Sequence, residues 1–91
     1  MPSIFDFLGY KFYFWSNEGV PLEPVHVHFT KGSPAKGDPK AYLLEDKSIV
    51  FSDENKVSKK DLSRIKNIII TNYDLITEEW YNRFNEISFK N

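Results

Sequence analysis

Apolar residues in the first half of the chain alternate with polar ones or fall in short runs broken by Gly, Pro and Asn; from Val57 onward they recur at helical spacing. The first half therefore reads as strands and the second as helix. Ile4 to Leu8, interrupted by Asp6 and closed by Gly9, and then Tyr10 to Trp15, predict two short strands with a turn or bulge at the glycine. Phe12 and Phe14 share one face of the second strand, and Lys11, Tyr13 and Trp15 share the other. Large aromatics on both faces place that strand inside a sheet or beneath a helical cover. Pro24-Val25-His26-Val27-His28-Phe29 predicts a third strand, with Val25, Val27 and Phe29 on a core face and His26 and His28 together on the opposite one. Lys31 to Pro39, with two Gly and two Pro in nine residues, reads as a mobile connection. Lys40 to Leu44, a tight turn at Glu45-Asp46-Lys47, and Ser48 to Ser52 complete the strand half as a hairpin.

The helical half opens at Ser58, which has Asp61 three residues on as a relaxed capping box, while Val57 and Leu62 stand in the positions of a hydrophobic staple. Leu62, Ile65, Ile68 and Ile69 form the stripe that lies on the sheet; Lys59, Lys60, Arg64 and Lys66 solvate the rest. A break is expected from Asn72 to Asp74, because Asn72 tolerates a left-handed conformation and Asp74 or Thr77 suits a second cap. Tyr73, Ile76, Trp80 and Phe84 then continue the core stripe, and Ile87 and Phe89 alternate in a tail. The fold class this predicts is α+β: a small, mainly antiparallel sheet of four to five short strands, followed by one kinked or two helices packed on one face, in a single domain over residues 1–91.

Composition sharpens that picture in three places. Eight Phe, five Tyr and two Trp in 91 residues supply enough large rings to fill a small core. Twelve Lys and Arg against 13 Asp and Glu give near-zero net charge, which argues against a general polyanion binder. The absence of cysteine removes disulfide, thiol and cysteine-ligated zinc chemistry. No apolar run is long enough for a membrane span and no leader pattern opens the chain, so a cytoplasmic location and no membrane partner are expected.

The candidate chemistry centres on His26 and His28. Two imidazoles on one strand face bind a transition metal, move protons, or simply sit on a solvated surface. Glu18 and Glu23 flank the strand in the preceding loop, and Glu18 is the preferred third member of a site. Lys31, Lys36 and Lys40 read as a solvating cluster, since no GxxxxGK[ST] phosphate loop is present.

These residues carry a family resemblance. Met1-Pro2 with Ile4, Gly9-Tyr10-Lys11-Phe12-Tyr13-Phe14, the Ser16-Asn17-Glu18 corner, His26-Val27-His28, Lys40-Ala41-Tyr42-Leu43 and Trp80 together resemble the short bacterial family catalogued as domain of unknown function 4160. The chain departs from that pattern by Val25, which separates Pro24 from the histidines, and by its long loop from Lys31 to Pro39. The resemblance implies a small β-rich sheet backed by C-terminal helices and a cytoplasmic protein. It also implies a gene often set beside one for another small domain, an arrangement that suggests toxin–antitoxin pairs.

Three functions follow as expectations. The first is a protein-interaction component of a two-gene, toxin–antitoxin-like module, binding a small protein encoded in the same operon through the histidine face, with Tyr13, Trp15 and Tyr42 as aromatic anchors. The alternative is a metal-assisted or His-based phosphodiester hydrolase, a nuclease-type toxin. In it His26 and His28 hold zinc or manganese, or act as base and acid with Glu18 as companion, and Lys31 or Lys40 stabilises the phosphate. Nucleic-acid recognition by the basic helix face ranks last, because Asp61 dilutes that face and any amphipathic helix presents one like it.

Overall fold

A computed structural model describes residues 3–15 and 23–90. Five strands, β1 (Ser3–Phe7), β2 (Tyr10–Tyr13), β3 (His26–Thr30), β4 (Lys40–Leu43) and β5 (Ile49–Ser52), precede two helices, α1 (Lys59–Thr71) and α2 (Tyr73–Phe84). The strands form one antiparallel sheet in the order β1-β2-β3-β4-β5, so each pairs with its sequence neighbour. This is the expected α+β arrangement, with two helices rather than one kinked helix.

Local chemistry explains the joints. Phe7 pairs with Tyr10, leaving only Leu8 and Gly9 to reverse the chain, and both adopt positive φ, 55° and 79°. That matches the twist a two-residue hairpin requires; Gly9 takes it without cost, whereas Leu8 is held there by the turn. At Ser58 the expected cap is present: the Ser58 hydroxyl accepts from the Asp61 N–H at 3.1 Å. Asn72 differs from expectation. Its φ of −105° is not left-handed, and it serves at once as C-cap of α1 and N-cap of α2 without a side-chain cap bond to the second helix. Its amide instead donates to the Ile68 carbonyl at 2.8 Å, and Thr77 bonds back to Tyr73 and Asp74 rather than capping. The left-handed residue is Asn85, which closes α2 at φ 62°.

The helices cover one sheet face. Phe12, Val27, Phe29, Ala41 and Leu43 from the sheet pack with Ile65, Ile69, Tyr73, Ile76 and Trp80 from the helices in one buried cluster, and Leu62, Ile68 and Phe84 lean on its rim. Two hydroxyls rivet the layers: Tyr10 donates to Asp61 at 3.0 Å, and Tyr73 donates to the Leu44 carbonyl. After α2 the chain returns to the sheet. The Val25 N–H donates to the Ser88 carbonyl at 2.9 Å, and Ile87 and Phe89 pack on the core edge.

Candidate functional site

Register decides what the second sheet face carries. Tyr13 pairs with His28, His26 with Tyr42, and Tyr42 with Val50, so these side chains share the face that the core cluster does not include. Their rings form a continuous ladder across three strands. Centroids are 5.4 Å apart from Trp15 to Tyr13, 5.3 Å from Tyr13 to His28, 5.0 Å from His28 to His26 and 5.3 Å from His26 to Tyr42. Tyr13 and His28 are stacked at 21°, whereas the two imidazoles meet edge to face at 80°. Such contacts each add about 0.5–1.5 kcal/mol beyond burial.

The histidines are not solvated: His26 is 1 % exposed and His28 8 %. His26 sits where β3 begins, and its ring also lies 5.3 Å from Trp80 of α2, so it touches the helical layer as well as Tyr42. Its Nδ1 is 2.8 Å from the Pro24 carbonyl. A carbonyl only accepts, so Nδ1 carries a proton and donates it to Pro24. Trp80 is wedged between Phe14, Phe84 and His26, and its buried indole N–H has no hydrogen-bond partner among the described residues.

Polar support comes from a residue the sequence did not single out. The Tyr13 hydroxyl donates to Asp38 at 2.6 Å, and the same Asp38 oxygen accepts the Ala35 N–H at 2.9 Å. The Phe29 N–H adds a bond to the Pro39 carbonyl at 3.1 Å. The connection from Lys31 to Pro39 is therefore tied to the histidine face at its C-terminal end, a correction to its reading as a mobile link. Composition hid this: an Asp before Pro in a Gly-rich loop is an ordinary turn residue, and only the fold brings it beneath a buried tyrosine. At the other end of the ladder two cations meet the half-buried Tyr42 ring, Lys40 Nζ at 5.4 Å and Lys90 Nζ at 4.5 Å from its centroid.

Glu18 lies outside the described residues. Among the described residues no three His, Asp or Glu side chains stand together to hold a metal ion. Lys31 is drawn away from the histidines to the α1 side, with Nζ 3.8 Å from Asp61 and 5.2 Å from the Tyr10 ring centroid. A concavity of about 570 Å³ lies between α2 and the tail, lined by residues such as Thr77, Tyr81, Asn82 and Phe89, and includes no member of the ladder. No helix of the described residues is long and apolar enough to cross a membrane.

Fold and site together define a small α+β domain whose antiparallel meander buries hydrocarbon on one side and carries a histidine–tyrosine–tryptophan ladder on the other. The chain belongs to the family described as Domain of unknown function (DUF4160), whose model matches residues 9–81, from the β1–β2 turn to the last turns of α2. That span contains the whole ladder. No curated protein and no solved structure matches the chain.

Proposed function

We propose that this domain is the protein-interaction component of a two-gene, toxin–antitoxin-like bacterial module, working in the cytoplasm and binding the small protein encoded beside it. His26 and His28, with Glu18 as their companion, centre the recognition site. The observation that carries this reading is the pair of half-buried rings, Trp15 and Tyr42, at the two ends of a ladder whose middle members are buried. Large rings held in place by fixed neighbours and left partly accessible are the anchors that protein interfaces favour, because they bury much area with little loss of side-chain freedom. Lys40 and Lys90 beside Tyr42 add a positive rim suited to carboxylates on the companion.

The test is co-expression with the neighbouring gene product and affinity capture through this chain. Capture is expected, with Trp15→Ala and Tyr42→Ala each weakening it by about 2 kcal/mol while both variants remain folded at the assay temperature by circular dichroism. Loss of capture only when the protein also unfolds would refute the site.

A second reading, phosphodiester hydrolysis assisted by zinc or manganese or by the histidines as acid and base, is favoured by one feature. The two imidazoles are adjacent, with ring centroids 5.0 Å apart. It predicts saturable shifts of both imidazole signals with micromolar zinc or manganese and loss of those shifts in His28→Ala. Indifference of both rings to metal, together with no cleavage of RNA or DNA, sinks it.

A further inference from the structure

The sheet has two edges, and among the described residues only one is guarded. β1 carries a register irregularity between Ser3 and Phe5 and the exposed Asp6, devices that spoil pairing with a further strand. β5 is Ile49-Val50-Phe51-Ser52, free of Pro, Gly and charge, with an unbroken register to β4 and Val50 42 % exposed. The pattern of its bonds to β4 follows from one contact: the Leu44 N–H donates to the Ser48 carbonyl at 2.9 Å, so Ser48 faces β4. Antiparallel pairs alternate, so Val50 and Ser52 also bond inward, and the N–H and C=O groups of Ile49 and Phe51 point away from the sheet. Among the described residues those groups have no backbone partner outside the sheet.

We propose that β5 pairs with β5 of a second copy of this chain, antiparallel about a two-fold axis at Val50, joining two five-stranded sheets into one. This surface is separate from the histidine ladder and does not rest on the function proposed for it. Self-pairing about Val50 sets Ile49 opposite Phe51 of the other copy, and both residues point their backbone groups outward, so each such pair closes a reciprocal set of hydrogen bonds. Shifting the axis by half a residue pairs an outward residue with an inward one and loses those bonds. The same register extends the helix-side apolar surface, because Ile49 and Phe51 both pack on the core. Just beyond the strand ends, exposed Lys47 and exposed Asp53, both at positive φ (72° and 59°), flank β5 on opposite sides, so the two-fold brings the Lys47 of each copy toward the Asp53 of the other, twice over. Lys47 lies 5.8 Å from the Tyr73 ring centroid and 3.6 Å from Asp74, and exchange is cheap because the ion pair joins two side chains that are 66 % and 85 % exposed. Asp46, which the register brings toward Glu54, is turned back onto its own chain, accepting from the Ser48 N–H and hydroxyl at 3.0 and 2.5 Å. Charge complementarity along a self-paired edge selects a second copy over an unrelated strand.

Sedimentation equilibrium of the full chain across a range of micromolar concentrations tests this, with circular dichroism to verify folding of each variant. A monomer–dimer equilibrium is expected, with the Ile49 and Phe51 amides exchanging more slowly as concentration rises. Val50→Lys, which places two ammonium groups on the axis, should weaken the dimer by about tenfold or more. Should that variant fold poorly, the exposed charges decide. Lys47→Asp weakens association by about fivefold, and Lys47→Asp with Asp53→Lys restores it to within about twofold of the parent. A monomer at every concentration, a dimer indifferent to these changes, or species growing beyond two copies overturns the proposal.

Discussion

The two faces of this sheet are built by different forces. The helix-side face is hydrocarbon against hydrocarbon: Phe12, Val27, Phe29 and Leu43 beneath Ile65, Ile69 and Ile76, all without exposed surface. The other face buries Tyr13, His26 and His28 almost as completely but holds them by ring stacking, the Tyr13–Asp38 bond and the Pro24 carbonyl. Burial of an alkyl group needs only volume, whereas burial of an imidazole or phenol needs a partner for each polar atom. The first face therefore tolerates hydrophobic exchange, and the second fixes residue identity.

Truncations separate the two most sharply. Trp80→Ala removes the ring that Phe14, Phe84 and His26 surround and is expected to cost about 4 kcal/mol in urea unfolding, whereas Tyr42→Ala, half-buried on the other face, costs about 1 kcal/mol. Trp80→Phe should cost well under half the Ala value, because it keeps most of the ring and deletes a buried N–H that lacks a partner among the described residues. Equal costs at Trp80 and Tyr42 would erase the distinction between the faces. Next in size is Tyr13→Phe. It leaves the ring stacked on His28 but strips the bond to Asp38, at an expected cost of about 2 kcal/mol and with faster amide exchange at Ala35. An unchanged midpoint would show that the loop needs no polar tie. Ser58→Ala, on the helical layer only, is expected to cost about 1 kcal/mol, and Ser58→Asp to restore most of it.

The smallest expected effect is a pH dependence confined to the helix side. Burial first, then the hydrogen bond and charge of Asp61, raise the Tyr10 hydroxyl above its ordinary pKa of 10.0. Burial first, then the charges of Asp46, Asp74 and Glu45, raise Tyr73 in the same direction. The fold thus holds both phenols in the neutral form. Their contribution is complete below the ordinary value of 10.0 and is lost as pH rises through the higher folded values, so stability falls on the alkaline side. Tyr10→Phe and Tyr73→Phe should each flatten the alkaline limb of the midpoint-against-pH curve. A limb as steep in the double variant as in the parent would place the sensitivity elsewhere.

The elements were largely legible because each carries its own local signal. Alternation from Tyr10 to Tyr13 and from His26 to Phe29, the hairpin turn before Ile49, the cap at Ser58 and the helical stripe from Leu62 to Phe84 all act over a few residues and recur in the structure. The junction at Asn72 was placed but its conformation was not, since a shared cap depends on how two helices dock rather than on the residue between them. His26 and His28 were expected on one face, and their rings do adjoin. Their burial, and the approach of Trp80 from α2 to His26, arise from contacts between residues 54 positions apart. The carboxylate beneath Tyr13 was missed for the same reason.

By itself, then, the amino-acid order determined the periodicity, and through it the strands, the helices, the face each would bury and the pairing of two imidazoles on one strand, because backbone geometry alternates or rotates side chains by a fixed step. Tertiary structure alone decided that those imidazoles are buried and bracketed by Tyr13, Tyr42 and Trp80, that Asp38 meets the Tyr13 hydroxyl, and that β5 stands at one edge of the sheet. Each of these depends on which distant segments become neighbours, a matter settled by the competition among whole-chain packings and not by any short stretch of residues.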